Sequence, residues 1–130
     1  MPGPARAGAL IYAHDLQRMS VFYQAVLGLQ VLAADDQHQV LESADTQLIL
    51  HAIPAAIAAT FTIDRPPAIR EEQAIKLFFS VDSLADAGTT ADRLGGGLIG
   101  PEYAGPGFVL RNAYDPEGNV LQLRQWGGGP

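Results

Sequence analysis

The side chains best equipped for chemistry in this chain are Lys76, Gln122 and His51, set among aromatic residues at strand spacing: Tyr12, Phe78, Phe108 and Tyr114. A lysine ammonium carries donors only. In a concave site it can pair with an anionic ligand, or with Gln122 and a neighbouring Glu; desolvated, its pKa falls and it can act as a base. An amide such as Gln122 can hydrogen-bond a ligand. A histidine titrates near neutrality, so His51 can contact a ligand or carry a proton. Arg111 and Arg124 are further groups able to hold an acidic ligand, and the aromatic side chains could line a pocket for a flat one. Each reading has a structural alternative: a snorkelling lysine at a strand end, a structural amide, a half-exposed strand-end histidine, surface arginines and plain aromatic core. His14 lies beside a helix cap and His38 in a polar turn, and three histidines scattered in this way do not spell a metal cluster. The chain has no cysteine, which excludes disulfides, Cys-ligated zinc, iron–sulfur clusters and thiol catalysis.

Strand alternation decides which of these side chains share a face. On the last strand Leu121 and Leu123 suit a helix-facing core, which turns Val120, Gln122 and Arg124 the other way. Lys76, Phe78 and Ser80 share one face, Ile49 and His51 another, and Gly8, Leu10 and Tyr12 a third.

The elements that must position them read as one unit repeated. Gly8 to Ala13 is a short apolar run, hence a strand. Asp15 caps a helix whose apolar stripe is Leu16, Met19, Phe22, Tyr23 and Val26, and Gly28 stops it. Leu29 to Ala33, Gln39 to Glu42 and Gln47 to Ala52 read as three strands. Pro54 to Gln73 is a connector with one helical turn near Ala55 to Ala59. The pattern then restarts with a strand over Ala74 to Val81 and a capping box at Ser83-Leu84-Ala85-Asp86. A helix striped by Leu84, Ala87, Ala91 and Leu94 follows, and Gly95-Gly96-Gly97 ends it. Strands are expected near Leu98-Ile99, Phe108 to Ala113 and Asn119 to Gln125, with a turn at Asp115-Pro116-Glu117-Gly118-Asn119. Asp115 and Asn119 are read there as turn residues without a catalytic role. Asp15 and Ser83 stand 68 positions apart, as do Leu16 and Leu84, and Gly28 and Gly96. Cap, helix length and stop agreeing together point to an internal repeat. The expected fold is α+β: two βαβββ modules, about 8–53 and 74–126, in one domain. They would form a curved mixed sheet or barrel around a central cavity, with the helices outside. The termini, Met1 to Ala7 and Gly127 to Pro130, read as frayed, and Trp126 as a cap on the barrel mouth or part of a dimer interface.

Composition narrows the function. At 130 residues, 48% hydrophobic and 17% charged, this is an ordinary globular chain. No apolar stretch is long enough for a transmembrane helix, and Met1 to Ala9 does not read as a signal peptide. A cytoplasmic location is compatible. A net charge of −6 without a basic cluster argues against nucleic acid as a partner.

The motifs themselves resemble a known superfamily. Phe22-Tyr23 followed by Leu27-Gly28-Leu29, Phe79-Ser80-Val81-Asp82, Leu94-Gly95-Gly96, and Asp115-Pro116-Glu117-Gly118-Asn119 leading into Leu121-Gln122-Leu123 are similar to the vicinal oxygen chelate proteins. These include glyoxalase I, bleomycin-resistance proteins and extradiol dioxygenases. The resemblance spans about Gly8 to Gln125. It implies paired βαβββ modules and often a homodimer. In the enzymes it also implies a divalent metal held by His, Gln or Glu on the first and last strand of each half. Carried over, those positions are Gly8, Ile49, Lys76 and Gln122, and only Gln122 offers an oxygen. The resemblance therefore leads to a small-molecule binding protein without the family metal. Its ligand cavity would be formed by Tyr12, Ile49, His51, Lys76, Phe78, Gln122 and Arg124, and no cofactor is expected. A lyase, isomerase or dioxygenase with a non-standard metal site, or with metal-free acid/base chemistry by Lys76 or His51, is the alternative. A paralogue with a filled interior and only a dimerisation role is a third reading.

Overall fold

The computed structural model describes residues 6–127, which divide into two compact units over 6–63 and 64–127. The expectations for the chain ends lie largely outside the described residues.

The first unit contains β1 (Gly8–Ala13), α1 (Leu16–Leu27), β2 (Gln30–Ala34), β3 (His38–Glu42), β4 (Gln47–Ala52) and the single turn α2 (Ala55–Ala58). The Asp15 carboxylate accepts the Arg18 N–H at 3.1 Å, satisfying one of the orphan donors of the first turn. Gly28 closes the helix in the left-handed conformation at φ 69°. Between them, Met19, Phe22, Tyr23 and Val26 recur at helical spacing and are buried. They pack on β3 and β4, whose Leu41, Leu48 and Leu50 are fully buried. Each large apolar side chain so buried is worth roughly 1.5–3 kcal/mol. One polar group sits in this interface with its needs met. Ser20 is buried, donates to Gln39 Oε1, and accepts from Gln24 Nε2 at 2.9 Å.

The four strands form a sheet in the order β1-β4-β3-β2, with β1 and β4 parallel and the other pairs antiparallel. Alternation then separates two faces. Ala13, Leu41, Leu48 and Leu50 turn to the helix, while Leu10, Tyr12, Ile49 and His51 turn to the other face.

The second unit repeats this plan with β5 (Phe78–Ser80), α3 (Leu84–Arg93), β6 (Gly97–Gly105), β7 (Phe108–Tyr114) and β8 (Val120–Trp126). Its strand order is β5-β8-β7-β6, again with a parallel outer pair. The repeat is also seen in register: Leu10 pairs with Ile49 in the first sheet, and Phe78, 68 positions after Leu10, pairs with Gln122 in the second. The fold is thus α+β, two mixed four-stranded sheets each carrying a helix on one face. No strand of one sheet is hydrogen-bonded to a strand of the other among the described residues.

Three sequence expectations need correction. The strand expected over Ala74 to Val81 is only Phe78–Ser80. Just upstream, the Gln73 amide donates to Val120 O at 2.6 Å and accepts from Val120 N at 2.9 Å. A side chain there occupies the ladder positions that backbone would otherwise fill. The strand expected at Leu98-Ile99 runs on to Gly105, because a register shift between Ile99 and Tyr103 absorbs Gly100-Pro101. As expected, α3 ends at the Gly95-Gly96-Gly97 run, with Gly95 in the left-handed conformation at φ 95°. His38 is not in a turn but opens β3.

The turn from Asp115 to Asn119 is a local structure of the expected kind, held tighter than its composition implies. Asp115 Oδ1 accepts from Glu117 N at 2.9 Å and Asn119 N at 3.1 Å, and Oδ2 accepts from Asn119 Nδ2 at 2.8 Å. Asp115, Pro116, Glu117 and Gly118 are all buried. The connector runs over them, with Arg70 N donating to Gly118 O at 3.0 Å.

Candidate functional site

The face of each sheet opposite its helix collects the polar and aromatic side chains singled out above. In the second unit the face is organised around Arg124. Its guanidinium carbon lies 3.8 Å from the Phe78 ring centroid and 4.8 Å from that of Phe108, so the group is held between two aromatic faces. The cross-strand register explains this: Arg124 pairs with Ser80 on β5 and Leu110 on β7, which puts Phe78 and Phe108 diagonal to it. Arg124 Nε donates to Gln122 Oε1 at 2.8 Å. Gln122 pairs directly with Asn112 across β7 and β8. Asn112 Oδ1 in turn accepts from Lys76 Nζ at 3.1 Å. Trp126 closes the row, 4.6 Å from Phe108 between ring centroids and donating from Nε1 to Ser80 Oγ at 2.9 Å. Of the residues expected here, Lys76, Phe78, Gln122 and Arg124 are therefore brought together. Asn112 and Phe108 complete the group. Alternation would have found Asn112, because it shares its face with Phe108.

Arg111 does not belong to this face. It pairs with Leu123, on the helix side, and both its Nε and Nη2 donate to Gly100 O, at 3.1 and 2.6 Å. Tyr114 packs its hydroxyl end against Gly97.

In the first unit Tyr12 and His51 are register partners with ring centroids 5.3 Å apart, and Ile49 shares their face. His38, the partner of His51 on β3, stands edge-on to it at 4.3 Å. The tautomers follow from the partners. His51 Nδ1 lies 2.7 Å from Ala52 O, an acceptor only, so that nitrogen carries the hydrogen. His38 Nδ1 lies 3.1 Å from Asp35 Oδ1, with the same consequence. In the neutral form of each ring this places the lone pair on Nε2. The N–H groups of Gln37 and His38, then the His38 ring, hold the Asp35 carboxyl below its ordinary value. His14 is structural: its Nε2 lies 3.0 Å from Ala58 O and 3.1 Å from Phe61 O, tying the connector to α1's cap region.

The four positions at which a superfamily metal would be held carry a poor set of donors. Gly8 has no side chain, and a Cβ there would lie 2.6 Å from Gln47 O. Ile49 is an alkyl group. Lys76 is an ammonium donating to Asn112, and the Gln122 oxygen is taken by Arg124. Among the described residues no three His, Cys, Asp or Glu side chains form a metal-binding group. These residues do not fit the metal. No described helix is long and apolar enough to cross a membrane.

Comparison with known proteins agrees with the topology. Residues 9–124 match the family model described as a glyoxalase-like domain. No curated protein matches the sequence. Among solved structures, a glyoxalase/bleomycin resistance protein/dioxygenase family enzyme from Burkholderia phytofirmans PsJN superposes with a TM-score of 0.69 at 23% identity, covering 94% of this chain and 98% of that one. The bleomycin resistance determinant encoded on the transposon Tn5 gives 0.59 at 22% identity, covering 92% and 96%. A bleomycin-binding protein complexed with bleomycin gives 0.57 at 20%, covering 92% and 97%. With the family match spanning nearly the whole chain and the βαβββ plan present twice, this chain belongs to the glyoxalase-like domain family, within the vicinal oxygen chelate superfamily.

Proposed function

We propose that this chain binds a small organic molecule and does so without a divalent metal. The observation that carries the reading is the chemistry at Gly8, Ile49, Lys76 and Gln122. A tightly held Mg²⁺, Mn²⁺, Zn²⁺ or Fe²⁺ needs several oxygen or nitrogen donors converging on it. Here one position is closed to any side chain by Gln47 O, and one is aliphatic. The remaining two are engaged with Asn112 and Arg124. What each sheet offers instead is an aromatic surface with a few polar groups, the usual make-up of an organic ligand site. That a structural neighbour was solved with bleomycin bound supports a small-molecule role for this scaffold. Elemental analysis of the purified protein tests the metal half of the reading. Less than about a tenth of an equivalent of any divalent metal is expected, and a stoichiometric, chelator-resistant metal would overturn it.

A second reading rests on the His38–His51 pair, whose Nδ1 atoms contact acceptors and whose Nε2 atoms would then carry the proton transfer. It predicts turnover of a glutathione hemithioacetal in the presence of EDTA that is lost in His51→Ala. Absence of such turnover, or indifference to the substitution, removes it.

A further inference from the structure

The second unit's open face points to the chemical class of the ligand, an inference that rests on the small-molecule reading above. Two cations lie on this face, Lys76 and Arg124, in a chain of net charge −6. Neither has an Asp or Glu within salt-bridge distance among the described residues. Each instead takes the oxygen of one amide: Lys76 that of Asn112, Arg124 that of Gln122. The assignment of those oxygens is forced, because an ammonium and a guanidinium N–H only donate. The two amides are direct cross-strand partners. With each oxygen turned to a cation, Asn112 and Gln122 present their NH₂ groups on the other side. Ser80 Oγ already accepts from Trp126 Nε1, so its own hydroxyl hydrogen is left to donate. Around the two cations the face therefore offers mainly hydrogen-bond donors, and two of them are charged. Such a surface complements a ligand that only accepts, namely an oxyanion.

The aromatic residues add a second requirement. Arg124 is clamped between Phe78 and Phe108, and its Nε is pinned by Gln122, which leaves the two Nη groups as a pre-oriented fork. A planar fork of this kind matches a carboxylate bidentately. Phe78 and Trp126 are each more than half exposed, at 56% and 53%, and present flat apolar surface beside the fork. We propose that the ligand is a planar aromatic or conjugated carboxylate, its carboxylate on the Arg124 fork with Lys76 and the Asn112 and Gln122 NH₂ groups nearby, and its ring on Phe78 or Trp126.

The test uses 2-naphthoate and its neutral isostere 2-naphthamide, followed by calorimetry and by the emission of Trp126, the chain's sole tryptophan. Naphthoate is expected to bind at least about 10-fold more tightly than naphthamide, the scale of a charge-assisted hydrogen-bonded pair. Arg124→Met should weaken naphthoate about 10- to 100-fold and leave naphthamide within about 3-fold. Gln122→Glu keeps the fold by giving Arg124 a carboxylate partner in place, and should abolish the preference for naphthoate; it serves if Arg124→Met does not fold. Equal affinity for the two probes, or a preference that survives Gln122→Glu, overturns the anion assignment and leaves the small-molecule reading standing. Binding of neither probe at millimolar concentration overturns the assignment and counts against that reading too.

Discussion

Gly118 lies at the point where the second unit's turn meets the connector, and replacing it by Ala should be costly in a way the structure resolves into parts. Its φ is +83°, a region that costs an L-residue about 1–2 kcal/mol. A Cβ built there would lie 2.0 Å from Ala68 O. Since a carbon and a carbonyl oxygen normally approach to no less than about 3.3 Å, the connector must move by over an ångström. Overpacking of that order costs about 1–3 kcal/mol. The same shift pulls at the hydrogen bond from Arg70 N to Gly118 O, 3.0 Å long, worth about 0.5–1.5 kcal/mol. The expected loss for Gly118→Ala is thus about 3–6 kcal/mol, or a fall in Tm of roughly 10–25 °C for a chain of this size. Gly28→Ala is the internal control. It has φ +69° and nothing within 4 Å of the added Cβ, so only the backbone cost of about 1–2 kcal/mol applies. Urea and thermal unfolding followed by circular dichroism measure both. A Gly118→Ala loss within about 1 kcal/mol of the Gly28→Ala loss would refute the steric reasoning, because the two sites would then differ in nothing but their position.

Further outcomes follow from individual contacts. Ser20→Ala removes the donor to Gln39 Oε1 inside the helix–sheet interface, and should cost about 1–3 kcal/mol in urea unfolding, whereas Ser43→Ala, on an exposed turn, should cost under about 0.5. The Asp35 carboxyl is held below its ordinary value of 3.8, so its contribution is present above that pH and disappears as pH falls through the lowered folded value. Asp35→Asn should therefore flatten the acid limb of a stability–pH curve below about pH 4 and leave its slope near neutrality unchanged. EDTA at millimolar concentration should leave Tm unchanged within about 1 °C, since a bound metal would stabilise by several kcal/mol; a drop beyond about 3 °C would contradict the metal-free proposal.

Much of the architecture was legible in the residues themselves. The caps Asp15 and Ser83, the stop at Gly28, the stripe Met19-Phe22-Tyr23-Val26 and the alternation in Gln47–Ala52 each encode local structure through a local cause: an orphan N–H to satisfy, a left-handed residue to place, an apolar face to bury. Alternation likewise put Phe78, Gln122 and Arg124 on their proper faces, because a strand's period of two is set by covalent geometry. What the residues did not carry was who partners whom across strands. That Gln73 would fill the ladder beside Val120 and shorten β5 depends on two segments 47 positions apart meeting. Only the register of β7 against β8 pairs Asn112 with Gln122, and only the packed strands bring Lys76 and Arg124 to the two amide oxygens. His38 reads as a turn residue until β3 sets it against His51. Even Gly8, which as a residue merely lacks a side chain, becomes a position closed to one once β4 brings Gln47 O to 2.6 Å from where its Cβ would be. Sequence alone determined most of the elements and which side chains share a face, because those depend on neighbours along the chain. Tertiary structure decided which polar atoms are consumed internally and which are left for a ligand, because hydrogen bonds between strands pair residues that are far apart in sequence.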